Sequence, residues 1–239
     1  MRLPGSEKVI VGYDLGNKYA QISCYVTGSE EEIRTLSSVA GSSVYTIPLA
    51  LSKRQGVNQW YYGSEAIRYA GEEEGILVEN LLKLARDGEP VQIDGAPIDP
   101  VALLTLFLKR SLGLLSQVTN TERIGALMIT CEELDHRMLE VLTAATEGLH
   151  LKTDQICFQS HVESFYYYNL YQPEELWRHK TILCEYGDAS IRTYCMECNR
   201  HTTPVVAYME EREFPFPVPE SDEKMQEIAK KLCENQMIS

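Results

Sequence analysis

The sequence lacks an apolar run of the roughly 18 to 20 residues that a membrane-spanning helix needs. Its first residues, MRLPGSEKV, contain no apolar core of a secretory signal. The 7 cysteines have no framework-like spacing, and their odd number excludes complete pairing. Together these absences predict a cytoplasmic protein with reduced thiols and no membrane contact.

Basic charge is also scarce. The chain has 22 Lys and Arg residues against 35 Asp and Glu residues, a formal net charge of −13 at pH 7. Such a surface repels a polyphosphate backbone, so nucleic acid is not expected as a partner. With 239 residues, 44% of them hydrophobic, the chain is long enough to bury a sizeable core.

The first part of the chain predicts an antiparallel meander. KVIVGYD, YAQISCYV and EEIRTLS read as three strands, separated by LGNK and TGSE. In the second strand apolar residues alternate with polar or aromatic ones, with Ala20, Ile22, Cys24 and Val26 on one face. This period of two is typical of a half-buried strand.

The middle of the chain predicts helices and strands in alternation. Between residues 38 and 117 the pattern is less regular. SVYTIPLALS and QWYYGSEAI read as strands or as a strand leading into a helix, and a short helix is predicted over Glu79 to Arg86. Asp99 as N-cap and Pro100 at the first helical position then begin a buried helix, VALLTLFLKRSLGLLSQV. A strand over Ile124 to Thr130 and a helix over Leu134 to Glu147, ended by Gly148, follow.

The last part of the chain predicts a second meander. The strand QICFQ leads into HVESFYYYNL, after which KTILCEYG, ASIRTYCME and TPVVAYME read as strands. The proline-rich FPFPVPES interrupts this meander. The final segment, DEKMQEIAKKLCEN, places Met225, Ile228, Ala229 and Leu232 on one face, which predicts an amphipathic helix.

Several of these segments, in the same order, resemble the actin and Hsp70 superfamily of ATPases. VGYDLGNKYAQISCYV resembles its first phosphate loop, and VYTIPLALS with WYYGSEAI resembles the Hsp70 segment that follows. The stretch from Ile124 to Leu170 is similar to the strand, helix, strand and helix that connect the two lobes. ILCEYGDASIRTYCM is similar to the second phosphate loop. The resemblance implies an α/β protein with the actin-like ATPase (ribonuclease H-like) fold, in which mixed sheets are flanked by helices.

The resemblance also implies a division into lobes. Residues 1–178 would form a complete first lobe, with an inserted subdomain at about 38–117, and residues 179–239 the start of a second lobe. No Gly-rich adenosine-binding segment follows Met209, so the second lobe is expected to be partial. A longer natural protein and a natural remnant are both compatible with this pattern.

In this family, a nucleotide and Mg²⁺ lie between two hairpins. By resemblance, Asp14 would hold a water on Mg²⁺, and Gly16, Asn17 and Lys18 would contact phosphate. The second loop would supply a carboxylate near the metal and further phosphate contacts, namely Glu185, Gly187, Asp188 and Ser190. The alternative is a plain β-hairpin in which Asp14 caps its own turn.

The chain departs from the family pattern at three points, one at the phosphate position and two at residues used in hydrolysis. Asp188 replaces a glycine and brings negative charge to the phosphate position. Ile67 stands where Hsp70 has a lysine, and Gln159-Ser160-His161 stands where it has Asn-Glu-Pro. A transition-state cation and a water-positioning carboxylate are therefore not expected, and no catalytic residue is assigned.

These features predict an Hsp70-like or bacterial actin-like nucleotide-binding domain that binds ATP or ADP with Mg²⁺ and has weak or absent hydrolysis. The alternative is a degenerate actin-fold module that binds a protein, or a second copy of itself, and no nucleotide. Zinc is not expected at Cys195, Cys198 and His201, because strand residues three apart point to opposite faces and no second ligand pair is near.

Overall fold

The structure is a computed structural model that describes residues 8–29, 32–72, 75–118, 123–176, 180–186, 190–198 and 206–215. The chain divides into two compact units, Met1–Ser164 and Phe165–Ser239. The predicted C-terminal amphipathic helix and two site residues, Gly187 and Asp188, lie outside the described residues.

The described residues form both helices and strands. The strands are β1 (Val9–Leu15), β2 (Tyr19–Val26), β3 (Arg34–Thr35), β4 (Ile47–Pro48), β5 (Leu51–Arg54), β6 (Trp60–Tyr62), β7 (Gly75–Val78), β8 (Val91–Ile93), β9 (Ala96–Ile98), β10 (Ile124–Cys131), β11 (Ile156–Ser160), β12 (Lys180–Tyr186), β13 (Ser190–Cys198) and β14 (Val206–Pro215). The helices are α1 (Gly63–Glu72), α2 (Leu81–Asp87), α3 (Pro100–Leu112), α4 (His136–Glu147) and α5 (His161–Tyr171). The α/β class predicted from the sequence is confirmed.

The first unit is built on a mixed sheet with the strand order β11-β10-β1-β2-β3, in which β4 also pairs with β2. Strand β2 runs antiparallel to β1, whereas β10 lies parallel to β1 and β11 parallel to β10. A smaller sheet, β6-β5-β7, and the hairpin β8–β9 belong to the same unit. The parallel part of the main sheet therefore contains three neighbouring strands that end at the same edge.

The second unit contains an antiparallel sheet with the order β12-β13-β14. Among the described residues, β12 and β14 are its two edge strands, and the central strand β13 buries Tyr194 and Met196. This arrangement confirms the predicted second meander. The helix α5 begins in the first unit and ends in the second.

The alternation predicted for the first hairpin is present in the structure. Strand β1 buries every second residue, and β2 buries Ala20, Ile22 and Cys24, while Val26 is partly buried and packs against the core. Period-two burial places one face of the sheet against the core and leaves the other partly open. The first hairpin and its register are thus set by a pattern that the sequence already contains.

The two predicted helices are confirmed, although α3 ends at Leu112 and Gly113–Gln117, predicted as its continuation, forms a 3₁₀-helix. The Asp99 side chain accepts a hydrogen bond from the Val101 N–H, and Pro100 is the first residue of α3. Helix α3 buries residues along one face, among them Leu104 and Phe107. Helix α4 begins two residues after the predicted start and ends at the predicted residue, with Gly148 directly after it.

Other predicted boundaries were wrong. The third strand, EEIRTLS, is reduced to the two residues Arg34–Thr35 in the described range. The strand predicted at TPVVAYME continues as β14 through Phe214 and Pro215, the first two residues of the proline-rich segment. Proline is tolerated at this point because β14 is an edge strand and Pro215 is its last residue, where a missing N–H costs little.

The core of the first unit contains one buried polar pair. Tyr13 of β1 is buried, and its hydroxyl lies 2.7 Å from the Ser111 Oγ of α3. The Ser111 hydroxyl donates to the Phe107 carbonyl, so the Tyr13 hydroxyl is the donor in the pair. Burial raises the pKa of the Tyr13 phenol well above its usual range.

The buried Tyr13 phenol predicts a loss of stability at high pH. In the unfolded chain this phenol ionises near its ordinary pKa of about 10, whereas the folded protein keeps it protonated. The contribution of the protonated phenol to the free energy of unfolding is therefore complete below about pH 10. Above that pH it falls by about 1.4 kcal/mol per pH unit. Urea unfolding at a series of pH values should show a shallower decline for Tyr13→Phe than for the wild type. Equal slopes for the two proteins would contradict this assignment.

Among the described residues, no helix is both long and apolar enough to cross a membrane. The five cysteines whose side chains the structure describes, Cys24, Cys131, Cys157, Cys184 and Cys195, are not in disulfides.

Candidate functional site

The candidate site lies at the carboxyl edge of the parallel strands in the first unit. Asp14 of β1 is in register with Thr130 of β10, and Thr130 with Gln159 of β11. The polar side chains at the ends of these strands are thereby brought to one edge. In open α/β sheets this edge is where ligands bind.

Asp14 is held by two donors from the neighbouring elements. The His161 Nε2 lies 2.8 Å from Asp14 Oδ1, and the Thr130 hydroxyl donates to the same oxygen at 3.3 Å. An ionised carboxylate only accepts hydrogen bonds, so the imidazole is the donor. The Asp14 side chain is 53% exposed and that of His161 26%. The carboxylate therefore faces solvent but is anchored to both β10 and α5.

The hairpin turn depends on Gly16. Its N–H donates to the Tyr19 carbonyl at 2.9 Å, which closes the turn. A Cβ at this position would lie 2.9 Å from the same oxygen, closer than side chains normally approach backbone. The resemblance implies a phosphate-binding reason for this glycine, and the structure adds a second reason, since the turn itself requires it.

Asn17 and Lys18 anchor the turn to its surroundings. The Asn17 amide donates to a Glu132 carboxylate oxygen at 3.1 Å, and the Lys18 carbonyl accepts from the Leu49 N–H at 2.7 Å. The turn is thus fixed against the end of β10 on one side and the segment after β4 on the other. These contacts give the hairpin a defined position without any ligand.

A small cleft lies beside the turn. Its volume is about 100 Å³, and its lining includes Lys18, Tyr19, Leu49, Ile67, Glu79 and Asn80. Ligand pockets typically enclose roughly 300 to 1,000 Å³, so this cleft suits a phosphate-sized group and not a whole nucleotide. Ile67, which the resemblance aligns with the Hsp70 lysine, is part of the lining.

The N-terminus of α5 is capped by its own residues. The Ser160 N–H donates to a Glu163 carboxylate oxygen at 3.1 Å, and the Glu163 N–H donates to the Ser160 hydroxyl at 3.2 Å. This reciprocal pair is a capping box. It fixes the first turn of α5 and, with it, the position of His161.

The buried thiol near the site is not a nucleophile. Cys131, the last residue of β10, is buried and its Sγ lies 3.3 Å from the Glu133 carbonyl oxygen. Burial and, to a smaller extent, the negative charge of Asp14 raise the pKa of the Cys131 thiol to about 12. Reactive cysteines have lowered pKa values, so Cys131 is part of the packing.

The described residues of the predicted second phosphate loop lie in the second unit. The Ser190 hydroxyl donates to Glu213 Oε1 at 2.6 Å, a hydrogen bond that lowers the pKa of the Glu213 carboxyl. Glu185 accepts a hydrogen bond from the Tyr194 hydroxyl at 3.4 Å. Both side chains thus have partners within the β12-β13-β14 sheet.

The residues at the strand edge do not fit a magnesium site well. A cation-bound water would donate to Asp14, but Asp14 Oδ1 already accepts two hydrogen bonds. The Glu132 oxygen nearest the turn is used by Asn17. In the part of the chain that the structure describes, no group of three Asp, Glu, His or Cys side chains could hold a metal ion.

Sequence reasoning missed the partners of the hairpin. Thr130 and Glu132 were not singled out, and His161 was noted as a departure from the family tripeptide without Asp14 as its partner. A signal did exist, because all three stand at or just after the carboxyl ends of predicted strands, as Asp14 does, and parallel pairing brings such ends to one edge.

Comparison with known families gives one finding. A model described as "Family of unknown function (DUF5716) C-terminal" matches residues 32–239 of the chain. The matched range contains β10, β11 and α5 but begins after the β1–β2 hairpin. No curated protein matches the chain.

Proposed function

We propose that this chain, which belongs to the DUF5716 C-terminal family, binds the phosphate groups of ATP or ADP at the carboxyl edge of its main sheet, with weak or absent hydrolysis. The observation that carries the proposal is the meeting of the β1–β2 turn with the ends of β10 and β11 around Asp14. A tight polar turn at such an edge directs backbone N–H groups and side chains toward one point, which suits an anion.

The arrangement of the first unit supports the resemblance to actin and Hsp70. A meander that begins with β1 is followed by two parallel strands, each leading into a helix. This is the order in which the resembling segments occur in the sequence. The actin-like ATPase identity of the fold is part of the proposal.

Weak or absent hydrolysis follows from two side chains. Ile67 occupies the position of the Hsp70 lysine and lies 46% exposed on α1, beside the cleft. Ser160, at the position of the Hsp70 glutamate, uses its hydroxyl to cap α5. Neither side chain can stabilise a leaving phosphate or orient a water as a charged group would.

A second candidate function is a protein-binding module that binds no nucleotide. It is favoured by the pairing of the site's polar side chains with one another: Asp14 with His161, and Asn17 with Glu132. A site whose donors and acceptors are already satisfied needs no ligand for its stability. A partner protein or a second copy of the chain would then be the ligand.

Titration calorimetry with ATP and ADP, each with Mg²⁺ and with EDTA, tests the first candidate. Lys18→Ala should weaken binding by about ten- to hundredfold, because a hydrogen bond to a charged group contributes roughly 1.5–3 kcal/mol. The matched control is Lys109→Ala, which removes an exposed lysine of α3 that lines a cleft with Ile124, at the other end of β10 from Thr130. No heat with either nucleotide in either buffer, from a folded protein, would reject nucleotide binding and favour the protein-binding module.

A further inference from the structure

The contact between His161 and Asp14 bears on whether the proposed phosphate site needs a divalent cation. In the family that the chain resembles, the strand-end aspartate accepts a hydrogen bond from a water on Mg²⁺. Here the His161 Nε2–H donates to Asp14 Oδ1 at 2.8 Å. An imidazole N–H and a cation-bound water are both hydrogen-bond donors, so either can donate a hydrogen bond to the carboxylate.

The acceptor oxygen has no capacity left for a third donor. A carboxylate oxygen offers about two acceptor positions, and Asp14 Oδ1 receives both the imidazole and the Thr130 hydroxyl. A hydrated cation would have to displace one of these donors or approach the carboxylate through its other oxygen.

The imidazole is held in place by its own helix. His161 is the first residue of α5, and the capping box between Ser160 and Glu163 fixes that first turn. The His161 side chain is about three-quarters buried, whereas that of Asp14 is about half exposed. The donor is therefore positioned by the fold before any ligand arrives.

We propose that His161 is a positioning residue that takes the place of the metal-bound water at Asp14, so that the site binds its phosphate ligand without a divalent cation. The Asn17 contact with Glu132 supports this, because it engages the next carboxylate along the edge. The proposal rests on the proposed phosphate-binding function for its ligand, but the exclusion of the cation can be measured separately.

The separate measurement is paramagnetic broadening by Mn²⁺ of the backbone amide signals of the first unit. In the wild type, the signals of Asp14 and Gly16 should broaden no more than those of other exposed turns. His161→Ala removes the donor and should produce selective broadening at Asp14. His161→Gln keeps an N–H donor at a similar reach and should behave as the wild type does.

The ligand measurement is ADP titration of the same three proteins in EDTA and in Mg²⁺. For the wild type and His161→Gln, Mg²⁺ should not tighten ADP binding; for His161→Ala it should tighten binding about tenfold, a difference of roughly 1.4 kcal/mol. Selective Mn²⁺ broadening at Asp14 in the wild type, or tenfold tighter ADP binding with Mg²⁺, would overturn the inference. Absence of ADP binding in both buffers would reject the proposed function, and the Mn²⁺ result would still decide the role of His161.

Discussion

Replacing Phe107 with alanine is expected to lower the free energy of unfolding of the first unit by about 3–5 kcal/mol, the range typical of buried phenylalanines. Phe107 is fully buried in α3, and its ring makes an edge contact with Tyr62, with centroids 6.3 Å apart. The loss combines the hydrophobic free energy that burial of the ring contributes with the cost of the cavity left behind. Domains are stable by only about 5–15 kcal/mol, so the effect is a large fraction of the total.

Hydrogen exchange of the α3 amides, followed by mass spectrometry in increasing urea, measures this loss in the first unit alone. Lys109→Ala is the matched control, because Lys109 is an exposed residue of the same helix and alanine is a good helix former. The control should change the unfolding free energy by less than about 0.5 kcal/mol. A loss below about 1 kcal/mol for Phe107→Ala would mean that the α3 face is not packed as described.

Replacing Gly16 with alanine is expected to destabilise the first unit by about 1–3 kcal/mol, as overpacking does. The added Cβ would lie 2.9 Å from the Tyr19 carbonyl oxygen, and this neighbour is backbone that cannot rotate away. The turn would have to open, and the N–H contact of Gly16 with the same carbonyl would weaken. Nucleotide binding, if it occurs at this turn, should weaken as well.

Gly12→Ala is the control for this variant, because Gly12 lies in β1, the strand that leads into the turn. Its Cβ would meet only the Ser23 carbonyl oxygen at 3.9 Å, an ordinary contact. Alanine also restricts the unfolded chain, which stabilises by about 0.4–1 kcal/mol where the native backbone accepts it. The two substitutions should therefore change the free energy of unfolding, measured in urea, in opposite directions. Similar losses for both would contradict the tight turn at Gly16.

The parts of the fold that local chemistry determines could be predicted from the sequence. The Asp99-Pro100 pair marks the start of α3, since both residues act within one turn of the helix. The alternation in β2 likewise sets its buried face. Neither feature depends on residues distant in sequence, so the sequence pattern alone is sufficient.

Short strands were harder to predict, because they form by pairing with a neighbouring strand and are too short to show a hydrophobic pattern of their own. The β8–β9 hairpin was missed, although its turn contains Asp94-Gly95, both with positive φ, a dipeptide that favours such turns. The Asp94 carboxylate also pairs with the Lys53 side chain of β5, a contact 41 residues away in sequence. A single sequence gives no sign of such a partner.

In the candidate site, too, local features could be predicted from the sequence and long-range contacts could not. The position of Asp14 at the end of a strand could be predicted, because the strand and its turn are local. The contact with His161 could not be predicted, because the two residues are 147 positions apart and meet only when β11 lies beside β10. Whether Asp14 binds a cation or an imidazole is decided by this tertiary contact.

The edge strand β14 has a consequence for how copies of the protein meet. Within the described residues its outer edge is not paired, and an open edge can add a strand from another molecule. Its sequence, however, places Glu210, Glu211 and Glu213 within four residues. Arg212 offsets one of these three charges, so a second β14 laid along this edge would bring together two segments that each carry a net charge of −2. Charge repulsion at the strand edge would thus protect the second unit from fibrous aggregation.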